Sequence, residues 1–142
     1  MKNVLLALAS AGTVIACTGI AMAAQPGLSF ATLEYQQPRD PLLPSNQSAG
    51  IVEHTSGDRL APALAAINAA IPAGTSRATA EAVLQQAGAH CRSASTSSER
   101  CTYFDVKTRD PYIDAIHWNV DLSLAGDAVD GVQVNRTWVR QI

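Results

Sequence analysis

Runs of like charge are missing from this sequence. Ten Lys and Arg and twelve Asp and Glu are scattered over 142 residues, for a formal net charge of −2. With Lys2 removed in a cleaved leader, nine basic residues face twelve acidic ones, a balance of −3. Neither balance suits a polyanion, and no arginine stripe exists, so nucleic acid is excluded as the expected partner. The motifs of common catalysis are also missing: there is no Gly-x-Ser-x-Gly, no His-Glu-x-x-His and no phosphate-binding glycine loop. No apolar run is long and uninterrupted enough to hold the chain permanently in a bilayer. The hydrophobic fraction of 47% leans on alanine and on the N-terminus, which predicts a modest core. At this length one domain is expected, with room for an export segment.

What is present begins with that segment. Met1-Lys2-Asn3 followed by Val4-Leu5-Leu6-Ala7-Leu8-Ala9 has the short basic start and apolar stretch of a secretory signal. Two processing sites compete. Ala21-Met22-Ala23 offers small residues for ordinary cleavage after residue 23, whereas Val14-Ile15-Ala16-Cys17 resembles a bacterial lipobox, with cleavage after residue 16 and a lipidated Cys17. The expected location is the periplasm, either free or tethered to the outer membrane through Cys17. Both routes leave Cys91 and Cys101 as the only pair in the mature domain, and in an oxidising compartment such a pair reads as a disulfide. A metal site using His90 beside Cys91 lacks a fourth ligand and the close cysteine spacing of zinc sites, so no metal or cofactor is expected.

Residues 24–57 carry Pro26, Pro38, Pro41 and Pro44 among Gln, Ser, Asn and Gly without a sustained period. They read as a flexible linker or docked arm, with Leu28, Phe30, Leu33 and Tyr35 alternating imperfectly like a short edge strand. The domain proper is placed at 58–142. A first helix should start near Asp58, bury Leu60, Leu64, Ile67 and Ile71, and stop at Pro72. A second should be capped by the hydroxyls after Gly74, bury Ala80, Val83, Leu84 and Ala87, and end at Gly88. The serine-rich run from Ser93 to Ser98 reads as a loop between the cysteines.

Strict alternation follows. Cys101, Tyr103 and Asp105 interleave with Thr102, Phe104 and Val106. Ile116, Trp118, Val120, Leu122 and Leu124 then share one face, and Ala115, His117, Asn119, Asp121 and Ser123 share the other. Val132, Val134 and Trp138 carry a third strand. The expected fold is therefore α+β, with two N-terminal helices packed on a three-stranded antiparallel meander that has one wet face. Arg136 falls in phase with Val134 and Trp138, so it either meets a carboxylate at the core edge or projects beyond the helices.

From Pro72 onward, the order helix, helix, strand, strand, strand resembles the small envelope lipoproteins of the SmpA/OmlA/BamE type, a fold shared with β-lactamase inhibitor proteins. The residues that carry the resemblance are Gly74-Thr75-Ser76, Val83-Leu84 with Gly88, Tyr103, and Asp130-Gly131-Val132-Gln133-Val134. The resemblance implies an envelope module that binds proteins and performs no chemistry. The expected function is that of an inhibitor or immunity protein neutralising a toxin or envelope enzyme. The alternatives are an accessory lipoprotein of outer-membrane assembly or maintenance, and a small ligand-binding protein or enzyme using His117. The partner-binding candidates are Asp105, Arg109, Tyr112, Asp114, His117, Asp121 and Arg136, because aromatic and arginine side chains anchor interfaces and acidic ones steer a basic partner.

Overall fold

Period-two sequence becomes a long antiparallel ladder. In the computed structural model, which describes residues 27–37, 51–109 and 112–141, the strands are β1 (Ile51–His54), β2 (His90–Ser95), β3 (Ser98–Arg109), β4 (Tyr112–Ala125) and β5 (Ala128–Gln141). The helices are α1 (Phe30–Tyr35), α2 (Gly57–Ala70) and α3 (Arg77–Gln86). The expectations about the leader, its cleavage sites and Cys17 lie outside the described residues, as do Pro38, Pro41 and Pro44.

The sheet has five strands in the order β1-β5-β4-β3-β2, all antiparallel. This corrects the expected two helices on a three-stranded meander. The meander is present as β3-β4-β5, but a strand is added at each edge and a third helix packs beneath. The two additions have little periodicity of their own. β1 has only four residues, and β2, written His-Cys-Arg-Ser-Ala-Ser, was expected as a loop. Pairing with a long neighbour makes them strands, since β structure depends more on cross-strand context than on local preference.

The third helix overturns the edge-strand reading of Leu28 to Tyr35. Ser29 caps α1 through its hydroxyl, which accepts from the Thr32 N–H at 3.4 Å, and Phe30, Leu33 and Glu34 form one buried helical face. Tyr35, at 82% exposure, does not join them. The Phe30 N–H donates to the Ala87 carbonyl at 3.1 Å, tying α1 to the end of α3.

The other two helices follow the sequence closely. Leu60, Ala63, Ile67 and Ile71 make the buried stripe of α2 and its end, with Leu64 half-buried beside them. Ser76 caps α3, its hydroxyl accepting from the Thr79 N–H at 3.2 Å. Ala80, Leu84 and Ala87 point inward. Gly88 ends the helix at φ +105°, a backbone conformation that favours glycine.

All three helices contribute to a single core against one face of the sheet, with Trp118, Ile116, Val120 and Leu122 of β4 at its centre. Cys91 and Cys101 sit opposite each other in the β2–β3 pair and form a disulfide, with Cys101 fully buried. Trp118 is fully buried as expected, and Trp138 packs against the core's margin. Among the described residues, no helix is long and apolar enough to cross a membrane.

Candidate protein-binding face

Alternation gives each long strand two faces, and the helices cover only one. The other is built in rows read from the registers. Val52, Val139, Ala115 and Val106 form one row across β1, β5, β4 and β3, and His54, Thr137, His117 and Phe104 form the next. Beyond them lie Asn135, Asn119, Thr102 and His90, then Gln133, Asp121, Arg100 and Arg92. One end of this open face is thus apolar and the other polar.

At the apolar end Val52 and Phe104 are each 55% exposed, Val106 48% and Ile113 44%. The Phe104 ring lies 4.7 Å from the His117 ring, and the Thr137 hydroxyl is 3.4 Å from His54 Nδ1. At the polar end Arg100 Nε donates to Asp121 Oδ1 at 2.6 Å. All three histidines reside on this face, in three different strands, yet no group of three metal-binding side chains comes together among the described residues.

The covered face holds its polar groups in closed clusters. Glu34, 4% exposed, receives Arg136 on both oxygens (Nε to Oε2, 2.7 Å; Nη2 to Oε1, 2.8 Å), Trp118 Nε1 on Oε2 (2.8 Å) and Lys107 Nζ on Oε1 (2.9 Å). The Arg136 Nη1 also donates to the Thr55 hydroxyl at 2.9 Å. Burial raises the Glu34 carboxyl's pKa, but the hydrogen bonds from Arg136, Lys107 and Trp118 together outweigh it and hold the group below its ordinary value. One carboxylate therefore locks α1 to β3, β4 and β5. Nearer the sheet's end, Arg140 grips both oxygens of buried Asp114, at 2.8 and 3.1 Å, while its guanidinium lies 4.7 Å from the centre of the Trp138 ring.

The expected partner-binding residues do not share a surface. Only His117 and Asp121 stand on the open face, and Asp121 is already paired with Arg100. Asp105, Asp114 and Arg136 belong to the helix side: Asp105 accepts from the Val106 N–H at 2.8 Å, Asp114 is buried with Arg140, and Arg136 is bound to Glu34. Of the two open readings for Arg136, the carboxylate is the one realised. The side chains of Arg109 and Tyr112 lie outside the described residues.

Missed by sequence were Phe104, Val106, Val52 and Ile113. A signal was there for two of them. Tyr103-Phe104-Asp105-Val106 places bulky apolar residues on both faces of one strand, and a meander with one wet face needs them on only one. Glu34 had no such signal, because its three partners lie far along the chain.

A cleft between α1 and α2 is lined by Leu33, Gln36, Gln37, Asp58, Arg59 and Pro62, without histidine, cysteine or serine at its wall. Compared with protein-family models, curated proteins and solved structures, the chain matches none.

Proposed function

We propose that this chain is a non-catalytic protein-binding module of the bacterial envelope, an inhibitor or immunity protein that neutralises a toxin or envelope enzyme with the open face of its sheet. The observation that carries the reading is the exposed cluster of Val52, Phe104, Val106 and Ile113 on a regular sheet, bordered by His54, His117 and Thr137 and continued by a polar half. Large apolar side chains grouped on one exposed face mark protein interaction sites, and an aromatic beside a histidine supplies the rigid amphipathic contact that interface centres favour. The bidentate Arg136–Glu34 pair and the disulfide hold the opposite side of the same strands, so the face is preorganised.

The test is affinity capture from envelope and secreted fractions with the disulfide-intact mature domain, followed by an activity assay on what is captured. The expected result is one toxin or hydrolase whose activity falls stoichiometrically as the domain is added, and which a Phe104→Asp variant neither binds nor inhibits. Capture that survives Phe104→Asp, or a captured enzyme whose activity is unchanged, refutes the reading.

A further inference from the structure

The two edges of the sheet are finished differently. At the β5 edge, β1 pairs with Thr137 to Arg140, and the Thr55 N–H adds a bond to the Arg136 carbonyl at 2.9 Å. After α2, the Gly74 N–H and the Thr75 carbonyl take up both backbone groups of Val129, each at 2.8 Å. Helix α2, which packs on β5, connects the two, and the stretch of β5 left between them runs only from Asp130 to Asn135. At the other edge β2 pairs with β3 only from Ser98 to Thr102, while β3 runs on to Arg109. Its ladder with β4 continues without a bulge through that whole stretch.

The close Cys91–Cys101 pair, with Cα atoms 3.9 Å apart, is a non-hydrogen-bonded one, so Thr102 and every second residue after it direct their backbone groups away from β4. Phe104, Val106 and Thr108 thus direct their N–H and C=O to an edge with no strand beside it among the described residues. The Val106 N–H confirms this, since its acceptor is the carboxylate of its own neighbour Asp105. Natural edges of this length are usually blunted by a proline, a bulge or an outward lysine. This stretch has neither of the first two, and Lys107 points to the helix side, onto Glu34.

We propose that the occupant of this edge is a second copy of the chain, paired antiparallel through a two-fold axis at Val106. The open stretch runs from residue 103 to residue 109, and Val106 is its midpoint. Only the register that sets Val106 against itself lets both open stretches fill completely while each β2 stays clear of the other copy. Val106 also has the backbone orientation that a hydrogen-bonded pair on a two-fold axis requires. That register sets Asp105 of each copy opposite Lys107 of the other on the helix side, and Phe104 opposite Thr108 on the open side. The sequence Phe-Asp-Val-Lys-Thr is self-complementary in this register and in no neighbouring one. The two sheets become one, and both Phe104–Val106 patches meet at the axis.

The pairing stands independently of what the open face binds. Sedimentation velocity of the disulfide-intact mature chain over a concentration series tests it, with thermal melting as the check on folding. A dimer is expected, and Val106→Pro should weaken it roughly a hundredfold by removing edge hydrogen bonds while remaining folded, as proline is tolerated at an edge N–H that faces no strand. Asp105→Lys, which sets two lysines opposite each other across the axis, should give a monomer that melts like the wild-type chain at the same dilution. A wild-type chain that stays monomeric at sub-millimolar concentration overturns the proposal. So does a dimer indifferent to Val106→Pro, or an edge whose amide protons gain exchange protection only when a different protein is added.

Discussion

The two faces of one sheet carry opposite kinds of residue at the same register. Trp118, on the helix side of β4, is fully buried and donates its indole N–H to Glu34, whereas His117 next to it stands exposed against Phe104. On the covered side the buried carboxylates Glu34 and Asp114 are closed into clusters, Glu34 with Arg136 and Lys107, and Asp114 with Arg140. On the open side apolar side chains are left in water and nothing in the fold needs them there. Burying a charge demands partners, but exposing a phenylalanine costs the native state little beyond the burial it forgoes. Stability is therefore written on one face, the proposed function puts recognition on the other, and substitutions should separate the two.

The largest effect is expected at Trp118. Trp118→Ala should cost about 3–5 kcal/mol, since it empties the core's centre and strips Glu34 of a donor. Urea unfolding of the oxidised domain measures it, and a loss below about 1 kcal/mol would show that α1 does not depend on this face.

Next comes Glu34→Gln, expected to cost about 3 kcal/mol because it leaves the largely buried Arg136 guanidinium without its anion. Its pH dependence has a definite sign. A carboxyl held below its ordinary value of 4.5 contributes its full stabilisation above that pH and loses it as pH falls through the folded-state value. The wild-type melting temperature should thus fall on acidification below about pH 4.5, and the Glu34→Gln profile should be flatter there. Glu99, on the same side, has the opposite sign: burial first, and the negative charge of Glu81 second, raise its pKa against the pull of Arg77. Its contribution is present at low pH and is lost as pH rises through the raised value. Glu99→Gln should then gain stability at neutral pH, by less than about 1 kcal/mol.

The disulfide should rank between these. Replacing both Cys91 and Cys101 by alanine is expected to cost about 2–3 kcal/mol, less than a long-loop bridge would, because the hairpin it closes is short. Comparing melts of the oxidised protein, the reduced protein and the double variant checks it. If the open edge of β3 beyond Thr102 loses amide protection along with the melting temperature, the bridge is what keeps that strand straight.

How much of this contrast was legible depended on range. The helices α2 and α3, the β4 alternation and the cysteine pair are local or nearly so, and their period, caps and spacing announced them. β1, β2 and α1 were hidden because each is too short to show a period and is made by its neighbours: β2 by pairing with Ser98–Thr102, and α1 by the Glu34 cluster and the Phe30 stack on Tyr103. The expected partner-binding residues fall on two faces for a related reason. Residue type put Asp105, Asp114 and Arg136 among the interface candidates, but their parity along the strands places them with the helices, where Asp114 and Arg136 are neutralised by partners far away in sequence.

The smallest effect on stability is expected where the effect on recognition is greatest. Phe104→Ser should change the unfolding free energy by no more than about 0.5 kcal/mol, because the ring's contact with His117 is exposed and no core residue rests on it. The same substitution should abolish capture of the partner, since an exposed aromatic at the centre of an apolar patch is the kind of residue that concentrates binding energy. Measured on one preparation, the pair of results discriminates sharply. A stable variant that no longer binds assigns the open face to recognition, whereas a variant destabilised on the scale of Trp118→Ala would mean that the second face is covered in the native protein and that its apolar residues are core after all.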